Sequence, residues 1–547
     1  MTITRRATFG LAAATLAAED AIAQPPQGGL ANAAPPRGGE LRIGMTLNDI
    51  PTARGAPDQG GEGIRWMGFT IYDSLVYWNL AQEETIPRIV PALAERYAPN
   101  PENMAEWIFH LRRGVKFHDG SDFNADAVIF NLEKLLVREA PHYDPQQRLT
   151  LAFRLPDVKT WRKIDDFTLA IGTGTPNAYL LDQIVFLHIS SPAQWRRLGG
   201  WEAFGRQPSG TGPFRVQEIV PRQRAVMVPF AEYWDVARRP KLDRLVLLPI
   251  PDANTRVAAI LSNQANFIEA PPPDAIPALR AQRMIIKVNP YPHIWPYILR
   301  HVGDGTPLAD VRVRQALNLA VNREEIVQLL GGLAVPAQGM VLPDSPWFGN
   351  PRFRLRYDPA EARRLLAEAG YNAARPLRIT FQISTSGSGQ MQPLPMNEAI
   401  QQQMRAAGIE LRFDVVEWNA MRVQRTRGPL DPTARGLHAI NNSMGISTPF
   451  DAFQRFFSCT MAPPEGLNWS GVCEPALQSL LDQAVVEFDE TKRDALLARA
   501  HEIVVDNAYW LWVVHDVNPR ALRPEVQGFA QAKSWYQDLT QVSVGRR

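Results

Sequence analysis

The residues of this chain best suited to metal or acid–base chemistry are its nine histidines. None of them pairs with another at the His-x-x-x-His spacing that puts two ligands on one helix face. His110 and His118 flank a turn, and His118 precedes Asp119, which marks them as turn residues rather than metal ligands. Nucleophilic catalysis has no better support. There is no Gly-x-Ser-x-Gly elbow, no Walker-type phosphate loop and no Gly-x-Gly-x-x-Gly fingerprint; Gly172-Thr173-Gly174 stops before a third glycine. Carboxylates are plentiful, but nothing in their spacing pairs them for acid–base work. A hydrolytic enzyme is therefore the remote alternative, and no metal or cofactor is expected.

Thiol chemistry depends on the compartment, and the first residues address that. Arg5 and Arg6 form a basic start, Ala7 to Ala18 an apolar run, and Ala21-Ile22-Ala23 offers small residues to a signal peptidase. The paired arginine resembles a twin-arginine signal. Glu19 and Asp20 in the cleavage region are unusual. The expectation is a signal peptide over 1–23 and an exported protein. Cys459 and Cys473, the only cysteines, are then expected to form a disulfide worth about 3 kcal/mol in the chain-entropy view; two free buried thiols are the alternative. Neither cysteine lies near the signal, so no lipid anchor is expected. No later segment reaches the ~18 apolar residues of a membrane helix. The mature protein is expected to be soluble and periplasmic.

The elements that would position any site follow from length and periodicity. The 547 residues include 58 basic and 56 acidic side chains, a net charge of +2. This balance argues against a nucleic-acid or anionic-membrane partner, and the length suggests two or more lobes. Residues 24–39 are Pro/Gly-rich and read as a flexible leader. Glu40 to Thr46 reads as a strand, and Ile64 to about Leu75 as a helix. Trp107, Phe109 and Leu111 alternate as in a strand; Val128, Leu132, Leu135 and Leu136 follow at helical spacing behind Asn124 as N-cap. Strands at Arg215–Ile219, Leu242–Leu248, Leu377–Ile383 and Ile409–Val416 alternate with helices at Asn254–Ser262, Asp310–Val321 and Asn397–Ala407, and with one started by Asp358, Pro359 and Glu361. Asn322 and Glu325 look like the cap pair of another. This alternation is α/β.

Four blocks together resemble the large solute-binding proteins of ABC importers, the peptide/nickel-binding family 5. They are Trp107 to Leu136, Ser209 to Trp234 with its Gly-Thr-Gly-Pro-Phe turn, Pro307 to Pro343 with Tyr357 to Tyr371, and Phe456 to Ala484 with the paired cysteines. The resemblance spans about 40 to 547. It implies a two-lobed, periplasmic-binding-protein-like type II fold with an extra subdomain in lobe one. The expected layout is lobe one at 40–289, lobe two at 290–508, and a return to lobe one at 509–547. It further implies a monomer that captures a small, peptide-like solute and delivers it to an inner-membrane ABC permease with a separate ATPase. A non-peptide solute, a chelated metal, or a periplasmic sensor or chaperone on the same fold are the alternatives.

The resemblance also places a candidate site. Dipeptide-binding relatives hold the ligand's amino group with an aspartate and its carboxylate with an arginine. Here the aspartate position falls on Gly445, the preceding tryptophan position on Asn442, and QPLPMNEA, the stretch expected to carry the arginine, has none. Both dipeptide clamps are thus missing. Asn441, Asn442, Ser443 and Met444 are the best-placed ligand residues, since that loop faces the cleft in the family. Trp418 after a strand, Trp66 beside the Asn48–Gly63 loop, and Thr211 and Gly212 in the turn complete the candidates. Core packing or turn formation is the competing role for each.

Overall fold

Leu41, Ile43 and Met45 alternate along the first strand, Glu40–Met45, and all three are fully buried. That strand is central to a seven-stranded sheet. It pairs in parallel with Arg244–Pro249 on one side and Phe267–Glu269 on the other, while the outer neighbours run antiparallel. The computed structural model describes residues 38–545 apart from 152, 153, 156, 304, 386, 388 and 465. The signal expected over 1–23, and all but the end of the leader, lie outside the described residues.

A second sheet is built around His293–Leu299 and Trp510–Asp516, both buried at every position. Full burial fits the near-continuous apolar runs, because helices cover both faces. Ile294, Ile298, Trp510 and Trp512 face one core; Trp295, Tyr297, Leu511 and Val513 face the other. Leu377–Ile383 and Ile409–Val415 extend this sheet as a parallel pair. A third, four-stranded antiparallel sheet sits between the first sheet's strands in sequence. It comprises Ala94–Asn100, Asn103–Leu111, Thr168–Gly172 and Thr160–Asp165, packed on the helix Ala125–Leu136. Asn124 caps that helix as expected, accepting the Ala127 N–H at 3.1 Å. Asn322 likewise caps Arg323–Leu329, but the Glu325 carboxylate turns away to accept from Gln403 at 2.9 Å. The architecture is α/β and two-lobed, with the third sheet as an added subdomain.

Two expectations need correcting. The helix expected from Ile64 to Leu75 consists of the short turns Gly61–Gly63, Ile64–Gly68 and Phe69–Ile71, and Tyr72 is extended. The Ile71 carbonyl is taken by the Gly212 N–H at 2.9 Å, and a further turn would need it. The return to the first half was expected at 509. Instead Trp510–Asp516 pairs with His293–Leu299, because Trp510 and Trp512 fill the second core. The chain crosses back only before Arg520–Leu522.

The two crossings run side by side. The Asn289 N–H donates to the Val517 carbonyl at 3.0 Å, and the Tyr291 hydroxyl donates to Asp516 Oδ2 at 3.0 Å. Few covalent links join the halves, so motion about this strap is the natural soft mode.

Candidate functional site

A cavity of about 430 Å³ opens where these crossings meet the two halves. Its first wall comes from the turns after Glu40–Met45 and Phe267–Glu269, its second from Thr385, Gly387, residues 389–393 and the helix Trp418–Arg427, and its base includes Asp516, Asn518 and Trp535.

On the first wall Arg65 is buried between two carboxylates. Its Nη2 donates to Glu62 Oε2 at 2.5 Å and also to Glu269 Oε1. Trp66 Nε1 donates to the other Glu269 oxygen at 3.1 Å. The guanidinium lies over the Trp535 ring, 4.3 Å from its centre. Trp535 stacks in turn on His293 at 5.5 Å. Burial opposes the Arg65 charge, but Glu269 and Glu62 outweigh it and hold its pKa above the usual value. Burial pushes the Glu269 carboxyl up, with Arg65 pulling against it. A second wall arginine, Arg256, is also fully engaged: it donates to the carbonyls of Ile250, Pro251, Glu269 and Ala270.

The second wall depends on a backbone that only glycine supports. Gly389 has φ +69°, and a Cβ there would stand 2.7 Å from His293 Nε2. Next to it Gln390 is buried and anchors the loop. Trp295 Nε1 donates to its carbonyl at 3.1 Å, and the Ser443 N–H donates to its Oε1 at 2.8 Å.

Of the eight candidate ligand residues, Trp418 lines this cavity, half-buried at the start of its helix. Trp66 sits one layer behind, positioning Glu269. Asn441 is fully buried; its amide donates to the Pro296 carbonyl at 2.9 Å and its Oδ1 accepts from Gln390. Asn442 accepts from Arg425 Nη1 and donates to the Ser443 carbonyl at 2.5 Å. Met444 packs in the second core. These residues therefore support the wall loop from behind. Thr211 and Gly212 lie elsewhere. The Thr211 hydroxyl donates to Asp73 Oδ2 at 3.1 Å, and the Gly212 carbonyl meets His118 Nε2 at 2.9 Å. Their turn is fitted so closely that a Cβ at Gly212 would fall 2.5 Å from the Ile71 carbonyl carbon. Burial pushes Asp73 up to about 6, against the nearby Arg238.

Sequence reasoning missed Glu62, Arg65, Glu269, Gln390, Arg422 and Trp535. They are scattered over the chain with no shared spacing. Only the Glu62–Arg65 separation of three, one helical turn, carried a local signal. Cys459 and Cys473 are joined in a disulfide, as expected. The buried His188 and His501 and the half-buried His118 and His301 each spend a ring nitrogen on a backbone carbonyl. No helix among the described residues is long and apolar enough to cross a membrane.

Two lobes, a double crossing and a cavity lined from both halves define a binding protein. Solved structures agree on the fold. A periplasmic binding protein of Helicobacter pylori, in complex with the peptide STSA, superposes with a TM-score of 0.80 over 93% of this chain and 99% of its own, at 21% identity. Among characterised sequences, the dipeptide-binding protein of Escherichia coli K12 is 28% identical over 483 residues, 84% of this chain and 86% of the relative. Heme-binding protein A of Haemophilus influenzae is 27% identical over 491 residues, 87% of each chain. Residues 88–460 match the family described as bacterial extracellular solute-binding proteins, family 5 Middle, and the chain belongs to that family.

Proposed function

We propose that this chain is the soluble periplasmic receptor of an ABC importer. It captures a small, peptide-like solute between its halves and delivers it unchanged to a membrane permease driven by a separate ATPase. One half comprises 40–289 with the chain after 516, the other 290–516. The observation that carries this reading is the cavity at the double crossing. Its volume, about 430 Å³, lies within the range of about 300–1,000 Å³ typical of small-molecule sites. Both halves and the strap contribute to its walls, so a ligand that contacts all three favours the closed form over the open one. The peptide assignment draws on the dipeptide-binding relative. The similarity to a heme-binding relative supports a non-peptide solute as the second reading.

Native mass spectrometry of the protein purified from its own host tests both. A retained mass of a short peptide is the expected result; a retained tetrapyrrole or metal chelate would replace it. X-ray scattering should show a smaller radius of gyration with the retained ligand than after its removal. An equal radius, or a ligand released chemically altered, would overturn the receptor reading.

A further inference from the structure

The seam beside the cavity carries more guanidinium than carboxylate charge. Arg422 and Arg425 lie three residues apart on the helix Trp418–Arg427, so they share a face. Arg455 is on Arg455–Phe457 in the same half. Arg154 comes from the other half, in the added subdomain, and its guanidinium lies 4.1 Å from the centre of the Phe186 ring. Arg455 is answered by Asp451 at 2.7 Å. Among the described residues, no carboxylate acts on Arg422 or Arg425. The charges that depress Arg422 beyond burial belong to Arg154, and those on Arg425 to Arg455 and Arg422. Arg425 is more than nine-tenths buried; its one hydrogen-bond acceptor is Asn442, and its Nε has no partner.

The remaining acids nearby are committed. Glu417 accepts the Ala420 N–H at the start of its own helix. Asp182 is pushed up to about 7 by burial and by Asp451. Of the three arginines that line the cavity, Arg65 is saturated by two carboxylates and Arg256 by four carbonyls, while Arg422 is bound by neither.

Such an arrangement is costly without a counter-ion. A buried cation with no opposing charge is unfavourable, and like charges brought by opposite halves resist the approach of those halves. An anionic group between them reverses both effects by accepting charge-assisted hydrogen bonds from each side. We propose that the seam at Arg422, with Arg154 opposite and Arg425 behind, is a subsite for an anionic group of the solute, a carboxylate or phosphate-like oxyanion, and that this group permits the halves to meet. The inference rests on the receptor reading and names the chemistry that reading leaves open.

The test uses the full mature chain and a tripeptide library prepared as free acids and as C-terminal amides. Retained peptides are identified by mass spectrometry. Peptides bearing a carboxylate should be retained at least tenfold over amidated neutral ones. Arg422→Gln should abolish that preference and Arg422→Lys should keep part of it. The ligand-free Arg422→Gln protein should melt no lower than wild type, since it loses a repulsive charge. Equal retention of acids and amides, or a preference unchanged in Arg422→Gln, overturns the inference. If wild type retains no peptide at all, the peptide reading falls, and a second probe decides the subsite. Oxalate and inorganic phosphate should then protect Arg422 severalfold from phenylglyoxal, read by peptide mapping. Equal labelling with and without both anions overturns it.

Discussion

The side-chain carbonyl of Gln390 accepts the Ser443 N–H at 2.8 Å, while its amide nitrogen donates to Asn441 Oδ1 at 3.2 Å. One buried amide thus joins the cavity wall to the end of the strand Ala439–Asn441. Gln390→Ala should leave that N–H and the Asn441 amide oxygen short of a partner, at about 2–3 kcal/mol. Urea denaturation measures the loss. Hydrogen exchange should quicken in residues 389–393 and not in the third sheet.

Glu269 ties Arg65 to Trp66 across the first wall. Glu269→Gln removes one of the two carboxylates that answer a buried guanidinium. With Glu62 still in place, the expected destabilisation is about 2–3 kcal/mol, below the ~3–5 kcal/mol of breaking an isolated buried pair. An unchanged urea midpoint would contradict the pairing.

Acidification should destabilise the protein before carboxylates with ordinary pKa values are titrated. Burial pushes His188, His293 and His301 down to about 3, and His118, His501 and His515 down to about 4. The unfolded chain protonates these groups near 6.5. Their contribution is therefore complete above that pH and is lost as pH falls toward 4, at up to about 1.4 kcal/mol per unit for each histidine. Asp73 and Asp182, pushed up to about 6 and about 7, and Glu269, also pushed up by burial, act in the opposite direction over the same window. Six histidines against these three carboxyls give a net loss. Urea midpoints measured from pH 7.5 to 5 should fall steadily. A flat profile would show that the histidines are not buried in their neutral form. His501 illustrates the cause: its Nδ1 bonds the Phe348 carbonyl at 2.6 Å, and its Nε2 accepts the Met340 N–H at 3.0 Å, a pattern only the neutral ring can make.

The Cys459–Cys473 disulfide closes a short loop, with a sequence separation of 14. Replacing both cysteines by serine should cost about 3 kcal/mol. The melting temperature of wild type in reductant should approach that of the double variant. If reductant has no effect, the bond is absent in solution.

Periodic elements were legible one at a time. The strand Leu377–Ile383 has the limits its alternation indicates, and Asn124, Asn322 and Asp358 cap helices where their spacing placed them. Local rules suffice there because a cap or an apolar stripe is satisfied within a few residues. Breaks came where a distant partner intervened. Gly212 took the Ile71 carbonyl that a longer helix would have used, and the second core claimed Trp510 and Trp512.

From the chain alone came the α/β class, the element order, the cysteine pair and, through four ordered blocks, the family, because each is written in short-range pattern. The cavity was decided in three dimensions. Asn441 and Ser443 stand behind the wall, and Arg422 is the cavity arginine that no carboxylate answers among the described residues, because burial, pairing and facing neighbours set those roles. Arg65 illustrates the reason: its second carboxylate stands 204 residues away, a separation that no periodicity encodes and that only the packing of the turn Ile64–Gly68 against the strand Phe267–Glu269 brings within hydrogen-bond reach.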